Sequence, residues 1–401
     1  MIDAGIVLQS LVGEPLATIR GRPNTIIEVT NGDAIVATSR APLGQRVPVS
    51  WLQEVLDQLR SGETIVVGPA SIGYRSSFLG AVLLTLPMIE VMDGSPPTAR
   101  LDPAYTVQTN VIAELETRLR MYANLIARGG PAGVSPGLLR ELRIYGGAGG
   151  VWNDVSRTRG IGGAASVTVG LLHTGRHYPD DLSNDALLYH YPETGRSVGR
   201  DRAEIEATKA AGDLRLPLFV VLQKGARRTV RKGWVATWDD DEQLFLIEFG
   251  SLPVRVARGD AVDHEPFQLF EDRPEVFGLT RGRPNQQRFR IQVIQRYGGH
   301  CVICDSAVAE WLHAAHIAGD AESGSSDARN GLPFCSNHHA AFDRGLISID
   351  PADGRIYLRG YSAADMNVTR GDLTHLPAQP AREALEFRWD QREPDGWAPA
   401  V

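Results

Sequence analysis

The sequence predicts an α+β multidomain protein: a small mixed N-terminal domain, a curved β-sheet or barrel domain in the middle, and a C-terminal metal-bearing region. Three observations carry this. The chain has 401 residues, 43% hydrophobic and 22% charged, which is globular in character and too long for one ordinary core. Short β-rich runs between glycine-rich turns crowd the middle. All three cysteines and five of the ten histidines fall between residues 300 and 339, a crowding that core packing does not produce.

Residues 1–95 read as an accessory domain. No basic residue precedes Arg20, so no secretory signal or presequence is legible, and FLGAVLLTLPMI is broken by Pro87 and too short to span a bilayer. The expectation is a soluble cytoplasmic chain that meets no membrane. TIIEV and AIVAT flank an Asn31-Gly32 turn signal and predict a hairpin. SWLQEVLDQLRSG has helical spacing, with Ser50 as N-cap and Gly62 as its end. A winged-helix-like DNA-binding or docking module and a mere packing domain both fit.

Residues 96–135 hold a turn-rich linker and a long helix. Val107, Val111, Leu115, Leu119, Tyr122 and Ile126 recur every three or four residues, a stripe buried in its own domain or used for dimerisation. Between 136 and 255, SVTVGLL, ALLYHY, LPLFVVLQKG, RKGWVATW and QLFLIEFG predict strands of a compact curved sheet, interrupted by the helical insert RAEIEATKAAG. A second linker (256–285) leads to the cysteine-bearing region (286–360), and 361–401 reads as a peripheral tail.

A net charge of −7 argues against a protein that coats nucleic acid indiscriminately, but local charge matters more. KGARRTVRK (224–232) and RGRPNQQRFRIQVIQR (281–296) each carry five positive charges and no acid. Lys224, Arg227, Arg228, Arg231, Lys232, Arg288 and Arg290 are the candidate contacts to a DNA backbone.

An odd number of clustered cysteines points to metal rather than disulfides. Cys301 and Cys304 form one two-residue-gap knuckle, and Cys335 and His338 repeat the gap after a thirty-residue loop. Four such ligands suit tetrahedral zinc clamping a small subdomain. Neighbouring helical residues point about 100° apart, so His338 and His339 should do different jobs. His339 and Asp343, one turn apart, share a face directed towards His316.

These residues resemble the HNH nuclease family, in its zinc-containing subgroup. The matching blocks are Ala314-Ala315-His316-Ile317, Asn330-Gly331-Leu332, and the His339–Gly345 segment with its Phe-Asp pair. The resemblance covers roughly 286–358 and implies a ββα-metal fold. It implies His316 as general base, Asn330 as the residue pinning the loop that orients it, and His339 with Asp343 as holders of a catalytic Mg²⁺ or Mn²⁺ ion. Many members carry an acid or histidine before the base, where this chain has Ala315; His313, substrate oxygens or water would complete the ligand shell.

Residues 136–255 resemble the SRA-like (YDG-type) modified-base readers, through HTGRHYPDDLSNDALLYHYPETGRS and the strands around it. That resemblance implies flipping of a modified cytosine into a pocket where Tyr178 and Tyr191 sandwich the base and Asp181 accepts from its amine. The combination resembles modification-dependent, McrA-like (type IV) restriction endonucleases acting on double-stranded DNA with modified cytosine. One HNH site cuts one strand, so a homodimer is the simpler arrangement for double-strand cleavage. A non-cleaving reader with a structural zinc module, and an HNH nicking nuclease indifferent to modification, are the alternatives.

Overall fold

The computed structural model describes residues 2–19, 22–30, 32–92, 94–106, 108–147, 150–174, 182–183, 185–193, 198–224, 227–240, 242–250, 267–270, 283–308, 311–319 and 323–400. The chain divides into two compact units: one spans the residues up to 253, the other 254–401, with 180–183 and 239–243 grouped with the second.

The first unit begins with α1 (Ala4–Gln9), where the Asp3 side chain accepts from the Ile6 N–H at the helix start. An antiparallel sheet follows: β1 (Pro15–Ala17), β2 (Pro23–Val29), β3 (Asp33–Thr38) and β4 (Ala41–Pro48), in that order. The hairpin predicted at Asn31-Gly32 is the β2–β3 pair, with Val29 opposite Ala34. Helix α2 (Val49–Arg60) starts one residue before Ser50, so Ser50 is not its cap; Pro48 holds the cap position, and no side chain bonds there. Gly62 ends the helix with φ +89°, a backbone that suits glycine. Next come β5 (Ile65–Val66), α3 (Pro69–Ile72), α4 (Ser76–Leu83), β6 (Ile89–Met92) and β7 (Thr98–Leu101), the three strands ordered β5-β7-β6. Among the described residues no helix is long and apolar enough to cross a membrane.

After α5 (Pro103–Thr106) comes the long helix α6 (Thr109–Ala127), burying Val111, Leu115, Leu119 and Tyr122 of the predicted stripe; Val107 lies outside the described residues. The helix is an internal strut, not a spacer. It packs on α1, its Tyr122 ring stacks on Phe219 at 5.9 Å, and its fully buried Arg118 donates to the carbonyls of Thr168 and Pro217. Glu114 pairs with Arg118 at 2.7 Å and also with Arg157, which reaches Asp154. Burying charge without such partners would cost several kcal/mol.

The predicted middle strands appear after α7 (Pro136–Glu141), β8 (Val151–Trp152) and α8 (Val155–Thr158). They are β9 (Gly170–His173), β10 (Ala186–His190), β11 (Leu218–Lys224), β12 (Arg227–Asp239) and β13 (Leu244–Phe249), with the helical insert as α9 (Val198–Asp213) between β10 and β11. The six-stranded sheet is ordered β10-β13-β12-β11-β9-β8. Among the described residues its two end strands do not pair, so the expected barrel is here an open sheet. β9 runs parallel to β11, and the crossover this requires passes through β10 and α9.

The second unit contains α10 (Arg283–Tyr297), the hairpin β14 (Leu312–His316) and β15 (Gly331–Cys335), helix α11 (Ser336–Asp343), and a sheet of β16 (Ile347–Ile349), β17 (Ile356–Arg359) and β18 (Trp397–Pro399), with α12 (Arg382–Asp390) before β18. The last forty residues, expected to be peripheral, belong to this core. Val368, Leu373, Ala381, Ala384, Leu385 and Ala400 pack into the same apolar cluster as Phe289, Phe334 and Phe342. A seventy-residue zinc module has too little apolar surface of its own, and the C-terminal segment supplies the remainder.

Candidate active site and metal centre

The local sequence builds the hairpin and helix in three steps. In the β14–β15 register, Leu312 faces Cys335 and His316 faces Gly331. A side chain at Gly331 would meet Val293 at 2.5 Å and Phe289 at 2.6 Å, so α10 packs against β15 only because glycine stands there. Helix α11 then starts at Ser336 with Cys335 in its N-cap position, so one thiolate ligand sits at the strand–helix junction.

Cys301, Cys304, Cys335 and His338 offer ligand atoms that all lie within 4.8 Å of one another. The Cys304 and Cys335 sulfurs are 3.9 Å apart, and His338 Nδ1 is 3.1 Å from the Cys335 sulfur and 3.4 Å from that of Cys301. Zinc–sulfur bonds of about 2.3 Å give tetrahedral edges of roughly 3.8 Å, so the set fits zinc. His338 Nε2 is 2.8 Å from the carbonyl of Met366, which can only accept. The ring proton therefore sits on Nε2, and Nδ1 presents its lone pair to the cluster. Burial, and then the neighbouring Cys301 and Cys335 thiols, push the Cys304 thiol up to about 12, against a hydrogen bond from the Ser306 backbone. A divalent cation removes that penalty by stabilising the thiolates.

The knuckle is tied from outside the predicted motif. Val302 N–H donates to Pro333 O, and the Thr369 and Arg370 N–H groups donate to Ile303 O. Met366 and Thr369 thus support the zinc site, Met366 through its carbonyl and Thr369 through its N–H together with its hydroxyl, which donates to Ile303 O at 3.2 Å; no spacing in the sequence signals either.

A separate cleft of about 450 Å³ is lined by Gln286, Phe289, Arg290, His313, His316, Ser326, His339 and Asp343. The predicted base, the predicted ion ligands and His313 are therefore brought together. His316 lies flat on Phe289, ring centroids 3.8 Å apart and planes within 7°. Phe289 fixes the plane of that imidazole; its helical period with Val293 and Tyr297 predicts only a core residue. His339 Nε2 stands 3.4 Å from Asp343 Oδ2, and its ring lies 5.5 Å from that of His313. His313 is within 3.1 Å of Ser336 Oγ, and burial first, then His339 and Arg290, lower its pKa.

Asn330 is fully buried and satisfies every face of its amide. Its Nδ2 donates to Ala318 O (3.1 Å) and Ser325 O (2.8 Å), and its Oδ1 accepts from Ala318 N–H (2.9 Å). Its carbonyl accepts from the N–H of Ile317, the residue after His316. The turn carrying Asn330 is capped by Asp327, which accepts from the Arg329 N–H and pairs with its guanidinium at 2.6 Å. Burial alone would raise the Asp327 carboxyl, but the bonds from Arg329, with Arg329 and Arg296 charge nearby, hold it below its ordinary value.

Two expectations need correction. Lys232 is not presented to a DNA backbone: it is 3% exposed, its ammonium donates to Ser10 O and lies 5.4 Å from the Tyr122 ring centre. The alternation of β12 turns it inward, and burial lowers its pKa against the pull of Glu14. Arg290 lines the cleft but its charge is engaged by Asp239 at 2.6 Å. Among the described residues, the cysteine-bearing cluster is the one group that brings three or more metal-donor atoms together, while His313, its ring 5.5 Å from that of His339, lines the cleft that His339 and Asp343 share.

The basic run 224–232 forms the β11–β12 hairpin as predicted, with Lys224 opposite Arg227. Arg228 is half-buried, Arg231 lies over the Phe249 ring at 3.8 Å, and Arg288 is half-buried on α10. The side chains of Lys224 and Arg227 lie outside the described residues, as do Tyr178 and Asp181. Tyr191 is half-buried, 4.6 Å from the Phe245 ring and 5.8 Å from the Lys209 ammonium.

Residues 301–350 match the HNH endonuclease family. No curated protein matches the chain. Among solved structures, a modification-dependent restriction endonuclease, TagI, matches with 18% identity over 67% of this chain and 94% of its own, at a TM-score of 0.29. A TM-score of 0.29 does not establish a shared fold. The family match puts a nuclease, a phosphodiester hydrolase, in the second unit, with DNA as its substrate class.

Proposed function

We propose that the protein is a modification-dependent endonuclease that reads modified cytosine in double-stranded DNA and hydrolyses the backbone. The observation that supports it most is the convergence of His316, His339 and Asp343 on one cleft beside a four-ligand zinc cluster, inside the segment that matches the HNH endonuclease family.

His316 takes the proton of the attacking water, its ring held flat by Phe289 and its strand end held by the Asn330 carbonyl. The water oxygen bonds to phosphorus, the bond to the leaving oxygen breaks, and that oxygen is protonated. His339 and Asp343 would hold a Mg²⁺ or Mn²⁺ ion, which when bound stabilises the charge developing on the phosphate. Two protein ligands suit such an ion, which keeps its other positions for water and phosphate oxygens. The zinc cluster holds the fold and takes no part in the reaction.

Selection is assigned to the 136–255 region, with Tyr178, Asp181 and Tyr191 around a flipped base and a homodimer supplying one site per strand. The test is digestion of matched plasmids, unmodified, 5-methylated, 5-hydroxymethylated or phosphorothioated, with Mg²⁺ and with Mn²⁺. Cutting restricted to cytosine-modified plasmids is expected. Equal cutting of the unmodified plasmid would leave a plain HNH nuclease, and binding of modified DNA without cutting would leave a reader.

A further inference from the structure

A second cavity, of about 250 Å³, opens beside the first, and Asp343 lines both. Arg344, Arg359, Arg388 and Arg392 line it, against the two carboxylates of Asp343 and Glu393. The way these arginines are held is informative. Arg344 donates to Ala340 O, Arg359 to Asp395 O, Arg388 to Phe342 O at 2.6 Å and Arg392 to Trp389 O at 2.7 Å. Arg388 and Arg392 also lie over the Phe342 and Trp389 rings. Carbonyls and rings orient a guanidinium without neutralising it, and among the described residues none of the four pairs with a carboxylate.

Ser348 supplies an independent observation. It is 2% exposed and lines the same cavity, and its buried Oγ has no hydrogen-bond partner. Native structures carry few such groups, and an absent ligand is one ordinary reason for them. A fixed set of guanidinium donors beside a buried hydroxyl matches the oxygens of a phosphodiester, which accept several hydrogen bonds and carry one negative charge.

We propose that this cavity binds a backbone phosphate of the DNA strand being cut, next to the scissile one. The inference rests on the nuclease reading, and its reason for choosing DNA over a free anion is continuity with the cleft through Asp343. Such a contact fixes the strand's register at the catalytic histidines without reading sequence.

The test uses the full-length zinc-loaded protein, a short duplex that the wild type cuts, and three variants: Arg344→Gln/Arg392→Gln, Arg344→Lys/Arg392→Lys, and Ser348→Ala. Binding is read by fluorescence anisotropy across salt concentrations, cleavage by steady-state kinetics. The glutamine pair should weaken binding about tenfold and flatten the slope of log K against log salt by about one, and the lysine pair should restore the slope. KM should rise with kcat within about twofold, since the contact positions the strand. Ser348→Ala should weaken binding without lowering the melting temperature, because it removes a hydroxyl that has no partner in the free protein. Wild-type affinity and salt slope in the glutamine pair would overturn the inference. If that pair fails to bind zinc or fold, wild-type affinity in Ser348→Ala overturns it instead. A wild type that cuts none of the matched plasmids removes the nuclease reading, and this inference with it.

Discussion

His338 and His339 are adjacent, yet one is 2% exposed and aimed at three sulfurs while the other faces the cleft and Asp343. Their losses should therefore separate. His338→Ala is expected to release zinc, read by elemental analysis, and to unfold the second unit. His339→Ala should keep one zinc per chain and lose cleavage by about 10²-fold or more, as His316→Ala should through loss of the base. Zinc loss in both would refute the division of roles. Asn330→Ala should cost roughly 2–4 kcal/mol in denaturant melts, since buried groups of Ala318 and Ser325 lose their only described amide partner. A cost below 1 kcal/mol would show that the loop is not held by that side chain.

At the level of elements, the turn at 328–330 connects charge to catalysis. The Asp327 carboxylate caps it and its folded value is held down, so the unfolded chain takes up the proton first as pH falls. The stabilisation is fully present above the ordinary value of 3.8 and is lost as pH falls through the lower folded value. Asp327→Asn should reduce stability at pH 7 and shrink the difference from wild type at low pH, measured by thermal melting across that range. A difference that stays constant with pH would assign the cap's contribution to shape rather than charge. Helix α11 shows a second element-scale device: Phe342 and Ala341 anchor it in the core, leaving His339 and Asp343 on the opposite, solvent-facing side.

For the whole molecule, each unit carries its own core, and among the described residues the four-ligand cluster that fits zinc lies in the second. Structural zinc contributes on the order of 10 kcal/mol at neutral pH, more than the stability of most domains. A zinc chelator should abolish one calorimetric transition and leave the transition of the first unit within a few degrees of its untreated value. Loss of both together would mean that the first unit cannot stand without the second.

The zinc ligands, the divided histidines, the nuclease motif and most strands of the middle sheet were legible in the sequence, because each is written in local spacing: two-residue knuckles, a helical turn, or alternating β-rich runs between turns. What only the tertiary structure decided was set by contacts remote in sequence. Lys232 was turned from an expected DNA contact into a buried donor to Ser10, 222 positions away. The C-terminal segment became core rather than tail because the zinc module lacked apolar surface of its own. Phe289 became the platform for His316 through the fit of α10 against Gly331. The Arg344, Arg359, Arg388 and Arg392 cavity gathers α11, β17 and α12, with its charges scattered over nearly fifty residues of sequence. Spacing reports which residues can share a face of one element; only packing decides which elements share a site.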